Sequence, residues 1–327
     1  MHADYSAERA GAASAPGPCA PDLAVAACAS DSAVAAATQT FAAAACAPAA
    51  PAVVLPAQGW SARLELGYQR RDARTVLSHR LHTGPLRVQK ALYPEGDAVC
   101  HTILLHPPAG IAAGDVLAVS VDIGPQAHAL LTTPGATKWY RSEGARARQS
   151  LELRVGRDAA AEWLPQETIL FDGVIGRQDL HVDLAPGARF LGFECLCLGR
   201  RAAGERYTQG QFRVGSRIDQ GGLPLWREWG TLRGGADSLG GPTGFAGHPV
   251  GATVIAAGMP DAPALVHALR AQLPPGEWSF TALPGVMLGR WLGPGGEAAR
   301  TGFIAIWRVL RPTLFGLPAS IPRIWNT

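Results

Sequence analysis

Two stretches of this sequence concentrate side chains that could bind an ion or a partner. The first block, Thr132–Ser142, contains Lys138, Trp139, Tyr140 and Arg141 in a row, and the second block, Trp163–Gly173, contains Glu167 and Asp172. Both mix turn formers, large aromatics and charges at positions that neither a simple strand nor a helix face explains. Such chemistry beside tight turns is typical of binding surfaces.

A pair of thiols offers a second kind of chemistry. Cys195 and Cys197 are separated by one residue within an apolar run. In a strand, period-two alternation places both sulfurs and Phe193 on one face and Glu194 on the other. Two thiols on one face could bind a soft metal ion. Cysteine is also a small hydrophobic residue that often packs in cores, so both interpretations stay open at this point.

Several carboxylates lie inside otherwise apolar runs. A carboxylate in such a run requires a counter-ion, a hydrogen-bond donor or water. The sequence therefore indicates either ion pairs with the many arginines or the polar lining of an internal cavity. The residues concerned are Asp115, Glu167, Asp172 and Glu194.

The sequence contains no recognisable catalytic motif. Gly135-Ala-Thr-Lys138 faintly resembles a phosphate-binding loop, but Leu130 replaces the required first glycine and Trp139 replaces the hydroxyl residue after lysine. Gly-x-Ser-x-Gly, His-Glu-x-x-His and Gly-x-Gly-x-x-Gly are also missing from the sequence. These observations argue against nucleotide binding and against a nucleophilic enzyme.

The positions of these residues depend on a predicted β-rich fold. The chain has 327 residues with 39 glycines, 26 prolines and 17% charged residues, a composition typical of many short elements joined by turns. From Trp60 onward, short apolar and β-branched runs alternate with turn signals, which predicts a sandwich, barrel or solenoid. Two helices are predicted late in the chain.

The two helices have distinct sequence signals. Asp261 can cap a helix over Ala262–Leu273. A second helix over Glu297–Arg311 is expected to end before Pro312, because the residue before a proline disfavours helical geometry. Its apolar stripe belongs either to the core or to a partner groove. The stripe consists of Phe303, Ile306, Trp307 and Leu310.

Composition also suggests the organisation and surroundings of the chain. Residues 1–56 are rich in alanine and are predicted to be a disordered extension, leaving 57–327 as a single folded domain. The net charge of +3 does not indicate a nucleic-acid partner. Six scattered cysteines are interpreted as reduced and cytoplasmic, and no run of 18 apolar residues predicts a membrane span.

Taken together and in order, several segments resemble the UreD/UreH urease accessory proteins. These are Gly84–Gln89 with Tyr93–Gly96, His106–Gly110 with Gly114-Asp115, the two blocks, and Leu198–Arg200 with Gly204–Arg206. The resemblance covers about residues 60–310. Ala109 and Ala113 stand where that family commonly has glycine, so an added Cβ could strain a turn that requires a positive φ.

The resemblance implies a mainly β structure, a helically coiled, β-helix-like sheet with two α-helices near the C-terminus. It also implies a non-catalytic chaperone of urease maturation without a tightly bound cofactor, which helps to deliver a transient nickel ion through an internal channel. The implied partners are apo-urease, a helical accessory protein of the UreF type and a nickel-carrying GTPase of the UreG type. A generic β-rich scaffold or an uncharacterised hydrolase is the alternative.

Two hypotheses about residues follow from this resemblance. Oxygen and imidazole ligands suit weak, exchangeable binding of nickel, so we expect a nickel path lined by Asp115, Glu167, Asp172, Glu194 and His106. Lys138, Trp139, Tyr140 and Arg141 have the composition of interface anchors. For Trp139, packing in the core beside the turn is an equally good interpretation.

Overall fold

The strands of this chain coil into a β-solenoid of about four turns. The computed structural model describes residues 59–274 and 278–326. The predicted extension over 1–56 lies outside the described residues. No helix within these two described ranges is both long and apolar enough to cross a membrane.

Eighteen strands and three α-helices make up the described part of the chain. The strands are β1 (Ser61–Arg71), β2 (Arg74–Thr83), β3 (Arg87–Val88), β4 (Val99–Leu105), β5 (Gly110–Ile111), β6 (Val116–Ile123), β7 (His128–Thr132), β8 (Thr137–Trp139), β9 (Ala147–Val155), β10 (Ala160–Leu164), β11 (Thr168–Leu170), β12 (Val174–Leu184), β13 (Arg189–Leu198), β14 (Gly210–Gln220), β15 (Leu223–Arg233), β16 (Val250–Ala257), β17 (Ser279–Leu283) and β18 (Val286–Gly293). The helices are α1 (Asp237–Gly240), α2 (Ala262–Gln272) and α3 (Gly296–Phe315), with short 3-10 turns at Arg201–Ala203 and Arg323–Asn326.

Parallel pairing between successive turns generates two facing sheets. The first sheet has the order β15-β14-β12-β9-β6-β1-β2, and its five inner strands are parallel. The second sheet contains the parallel ladder β13-β10-β7-β4, extended by antiparallel β16, β18 and β17. The short strands β5, β8 and β11 form a third, narrow wall. The prediction of a coiled, mainly β structure is confirmed.

Apolar side chains on the inner faces of the two sheets form one core, and the helices create another. The inner core includes Leu66, Val121 and Phe212. The second cluster joins the outer face of β13 to α3, where the ring of Phe193 stacks on that of Phe303 with centroids 4.2 Å apart. A sheet with apolar residues on both faces requires such a cover. The helices therefore complete the second sheet.

Both helix predictions identified real elements, and one of them ended at the wrong residue. Asp261 caps α2, because its Oδ1 accepts a hydrogen bond from the Ala264 amide at 2.9 Å. Helix α3 continues through Pro312 to Phe315 and ends at Gly316 in the left-handed conformation. Burial of Leu314 offsets the proline's missing donor, since that leucine belongs to the helix-side core.

The apolar stripe of α3 is fully buried, so the core interpretation is confirmed and the partner groove is wrong. Its four residues have 0% exposure and contact the second sheet. The residue directly after this stripe, Arg311, is charged and is also fully buried.

Arg311 joins three parts of the fold through buried hydrogen bonds. Its guanidinium donates to both oxygens of Glu95 at 2.6 and 2.7 Å and to Glu162 on β10 at 3.0–3.1 Å. The carboxylate of Glu162 also accepts a bond of 2.8 Å from Trp307 Nε1. Two histidines complete the network, His101 beside Glu95 and His128 beside Glu162.

The turn before β5 contains the strain that the sequence suggested. Ala109 adopts a φ of 63°, the left-handed region in which a Cβ is unfavourable. Ala113 is not among the positive-φ residues of the described chain, whereas the adjacent Gly114 has a φ of 84°. The glycine-to-alanine departure is therefore costly at position 109 only.

We expect Arg311→Leu to lower the free energy of unfolding by about 3–5 kcal/mol, because it leaves the buried Glu162 and the partly buried Glu95 without their cation. Arg308→Leu, on the exposed side of the same helix, is the matched control and should change it by less than about 0.5 kcal/mol. Urea denaturation at pH 7 measures both. Equal stabilities for the two variants would contradict the role of the network.

The same network makes stability fall in acid. Burial raises the pKa of Glu95, but hydrogen bonds from His101 and Arg311 outweigh it and lower that pKa from 4.5 to about 2. A lowered folded-state pKa contributes stability above 4.5 that disappears as the pH falls toward 2. Urea titrations between pH 6 and about 3 should show this loss in the native chain and a smaller one in Glu95→Gln.

Ala109→Gly should stabilise the chain by about 0.5–1 kcal/mol, because relief of the left-handed strain exceeds the entropic cost of glycine. Ala113→Gly should destabilise it by a similar amount, since no strain is relieved there. Thermal unfolding of both variants checks the pair. A melting temperature that falls for both would refute this account of the turn.

Candidate functional site

The coil of the sheets encloses a cavity with a volume of about 380 Å³. Its walls come from both sheets and from the loops around β5 and β8. Most of the lining is apolar, with Leu117, Leu151, Leu180 and Ile255 as examples. A small set of polar side chains interrupts this lining, which is the usual composition of a ligand site. They include His106, Lys138, Gln178, Glu194 and Glu228.

Glu194 is the central carboxylate of this cavity. The alternation predicted for β13 is confirmed, since Phe193 and Cys195 belong to the apolar cluster under the helices, whereas Glu194 lies outside that cluster and lines the cavity. Gln178 on β12 donates a hydrogen bond to its Oε1. Burial, aided by the charge of Glu228 and opposed by Arg290, raises the pKa of Glu194 to about 7. The group therefore exchanges protons near neutral pH.

His106 contributes an unpartnered imidazole nitrogen to the same cavity. Its Nε2 is buried and has no hydrogen-bond partner among the described residues. Burial lowers the pKa of His106, although the charge of Asp115 opposes that effect. The ring is thus neutral at pH 7, the form in which imidazole binds metal ions.

An exposed ion pair lies where the cavity wall reaches solvent. Arg290 donates to both oxygens of Glu228 at 2.7 Å and to Thr253 Oγ1 at 2.7 Å. Sequence reasoning missed Glu228, Gln178 and Arg290. The signal for Gln178 and Glu228 was available, because each is a polar residue at an inward-facing register position of a strand.

Two of the carboxylates singled out from the sequence hold the fold together instead. The Asp115 side chain accepts hydrogen bonds of 2.8 Å from the amides of Trp60 and Ala112, which fixes the start of β6. Glu167 pairs with Arg300 on α3. Neither is among the described residues that line the cavity.

The thiol pair packs with apolar neighbours. Cys195 is buried in the cluster that faces α3, and Cys197 packs against it. Interaction with Cys197 and burial raise the pKa of Cys195, which keeps that thiol protonated. No group of three or more histidine, cysteine or acidic side chains positioned to hold a metal ion occurs among the described residues. Core packing therefore accounts for the pair.

The two blocks meet at one corner of the solenoid, together with the Leu198–Arg206 segment. Asp172 Oδ1 accepts hydrogen bonds from the amides of Thr208 and Gln209 at 2.7 and 2.8 Å. The amide of Asp172 donates to Glu205 at 2.8 Å. The backbone and Thr208 bonds, with Arg141, outweigh burial and lower the pKa of Asp172. Asp172 thus anchors a corner that three distant segments build.

Aromatic and arginine side chains cover that corner. Tyr140 meets Phe171 edge to face, with centroids 5.1 Å apart, and Arg200 lies 4.4 Å above the ring of Phe171. Arg141 approaches Asp172 at 3.5 Å while its side chain stays 64% exposed. Tyr140 is half-buried, so this corner presents arginine and aromatic edges to solvent.

Trp139 is the exception among the four predicted anchors. It has 0% exposure and packs edge to face on Phe212, with centroids 4.8 Å apart. Its position in β8 points it into the inner core. Direct partner contact by Trp139 is therefore wrong, and core packing is right. Lys138 is half-buried and lines the cavity instead of the corner.

Comparisons with known proteins agree with the resemblance seen in the sequence. Residues 61–326 match the family model described as UreD urease accessory protein. A urease accessory protein UreD from Azoarcus sp. (strain BH72) is 51% identical over 271 residues, covering 82% of this chain and 95% of that protein. The UreD of Dechloromonas aromatica (strain RCB) is also 51% identical, over 274 residues with the same shares. UreD of Delftia acidovorans is 43% identical over 303 residues, 85% of this chain and 99% of the relative. This chain belongs to the UreD family of urease accessory proteins.

Proposed function

We propose that this chain is a non-catalytic scaffold of urease maturation in the cytoplasm. In this proposal it joins apo-urease to a helical accessory protein of the UreF type and a nickel-carrying GTPase of the UreG type. The support is family membership, together with a corner and a cavity suited to two different tasks. The corner binds a partner, and the cavity passes nickel toward the urease active site.

Glu194 is the observation on which the nickel path rests. It is a carboxylate inside a largely apolar cavity, with a pKa of about 7 and an amide partner. A carboxyl group that is half-protonated at neutral pH can release its proton when it binds a cation and take up a proton again when the cation leaves. His106 offers a neutral nitrogen on the same cavity wall. Both donors suit a borderline divalent ion that must be released again.

The other three residues of the expected path have weaker claims. Asp115, Glu167 and Asp172 each engage backbone amides or arginine side chains. A carboxylate that is already saturated would have to break those bonds to take an ion. We therefore assign the path to Glu194 and His106, with Glu228 at the solvent side.

Replacing Glu194 by glutamine should lower the nickel content of urease by about tenfold, because an amide oxygen carries no charge for the cation. Glu167→Gln is the matched control and should leave nickel per active site near the native value once the chain is folded. Metal analysis of urease purified from cells producing all accessory proteins measures both. Co-purification of those proteins shows that the complex still assembles. If urease from cells with Glu194→Gln contains the native amount of nickel, the proposed nickel path is wrong.

Arg141→Ala should reduce recovery of the other accessory proteins by about fivefold or more, since exposed arginines beside aromatics are common hot spots. Tyr140→Ala should act in the same direction but also removes packing, so its thermal unfolding must be checked. Arg201→Ala, an exposed arginine on the neighbouring 3-10 turn, is the control. Undiminished recovery with Arg141→Ala would reject the corner as an interface.

A further inference from the structure

The outward face of the first sheet carries a regular array of arginines around one exposed tryptophan. It lies on β9, β12, β14 and β15, whose inward residues line the core and the cavity. The helices pack on the second sheet, on the opposite side of the coil. We call this array the arginine–tryptophan face. It consists of Arg148, Arg177, Asp179, His181, Arg213, Arg217, Asp219, Arg227 and Trp229. Other outward positions of the same strands carry Glu152, Arg154, Asp183 and Arg233, so arginines still outnumber acidic residues on this side of the sheet.

The strand register places like charges side by side. Arg148, Arg177 and Arg213 occupy one row across three adjacent parallel strands. Two rows further along, Arg217 and Arg227 are direct cross-strand partners. Neighbouring strands are about 4.8 Å apart, and like charges in such pairs destabilise a sheet. The array therefore weakens the isolated fold.

Two carboxylates orient these arginines without neutralising them. Asp179 pairs with Arg177 at 2.7 Å and with Arg148 at 3.5 Å. Asp219 contacts Arg217, His181 at 3.0 Å and Arg227 at 3.5 Å. Four of the five arginines thus share two acidic groups. In the part of the chain that the structure describes, Arg213 has no ion pair.

Trp229 lies between the two arginine rows on the edge strand β15. Its indole rests on Gly215 of β14, where a Cβ would lie 2.7 Å from the ring. Even so, the residue is 61% exposed. Covering a glycine accounts for the ring's orientation and leaves its outer surface in water. An exposed indole flanked by oriented guanidinium groups has the composition of a binding hot spot.

We propose that the arginine–tryptophan face docks an acidic surface of a protein partner, with Trp229 as the apolar anchor and Arg213 and Arg227 as the groups that meet its carboxylates. The excess of positive charge favours a partner with a negatively charged surface, because opposite charges promote encounter and like charges oppose it. A flat sheet with a single protruding indole suits a folded protein surface. The arginines and the tryptophan of this face are not among the described residues that line the cavity, so this proposal goes beyond the nickel path.

Site-specific photocrosslinking in cells that produce the full urease gene set tests this proposal. The photoreactive residue p-benzoylphenylalanine replaces Thr231, which is exposed and pairs with Arg213. We expect crosslinking to one protein, at a surface where Asp and Glu outnumber Lys and Arg. Trp229→Ala should lower the yield by about tenfold, and Arg213→Glu with Arg227→Glu should abolish it.

Charge reversal at the other edge of the same sheet is the matched control. Arg71→Glu with Arg80→Glu changes the same number of exposed arginines and should leave the crosslink intact. Thermal unfolding confirms that each variant is folded, and higher salt should weaken crosslinking of the native face. Four results would each overturn the proposal. They are the absence of a protein crosslink, a crosslink to nucleic acid or lipid, a basic target surface, and an equal loss of crosslinking in the control variant. If a variant of this face loses the crosslink while urease still receives its normal nickel content, the docking role of the face is independent of the nickel path through the cavity.

Discussion

One buried guanidinium determines how the helices and the solenoid fit together. Arg311 has no exposed surface and satisfies its donors on Glu95, Glu162 and the carbonyl of Pro318. These groups come from the loop before β4, from β10 and from the segment after α3. A buried cation requires this degree of satisfaction, so the position of α3 on the second sheet is tightly constrained. The same helix covers the outer face of β13, whose inner residue Glu194 lines the cavity.

Strand residues of the solenoid point either inward to the core and cavity or outward to solvent. Along β14 and β15, inward positions such as Glu228 reach the cavity, while outward positions such as Arg213 and Trp229 reach solvent. Side chains alternate between the two faces along most of these strands, with one register irregularity between Ile218 and Asp219, so most changes on one face leave the other nearly untouched. The proposed ion path and the proposed partner contacts therefore use opposite faces of the same strands. Because the two faces are separate, one chain of the UreD family can combine both proposed roles.

The corner at Tyr140 and Asp172 shows a different use of the coil. The segments that build it lie far apart in the chain, yet parallel stacking of β8 and β11 brings the two blocks into contact. Hydrogen bonds to Asp172 from Thr208 and Gln209 add the third segment. Hydrogen bonds from backbone amides to Asp172 fix the corner, and Arg141 contacts Asp172 at 3.5 Å while its side chain stays 64% exposed. Such a fixed base lowers the entropic cost of binding.

The sequence by itself determined the local structure and the family resemblance. Period-two patterns identified the strands, the Asp261 cap and the apolar stripe of α3 identified the helices, and the two blocks with the segments around them pointed to the UreD/UreH proteins. Comparison with the family pattern also pointed to strain at Ala109, which has a positive φ, and at Ala113, which does not. These features depend on residues near each other in the chain, so a sequence pattern can reveal them.

Only the tertiary structure decided which residues share a site. Asp115, Glu167, Asp172 and Glu194 look alike as carboxylates in apolar runs, yet only Glu194 faces the cavity. Trp139 and Tyr140 are neighbours in sequence, but Trp139, the last residue of β8, points into the core, whereas Tyr140, just after that strand, packs on Phe171 at the corner. The continuation of α3 through Pro312 to Phe315 likewise goes with burial of Leu314 in the helix-side core, which local propensity does not predict. Strand register between successive turns determines these outcomes, and register depends on pairing between residues distant in the chain.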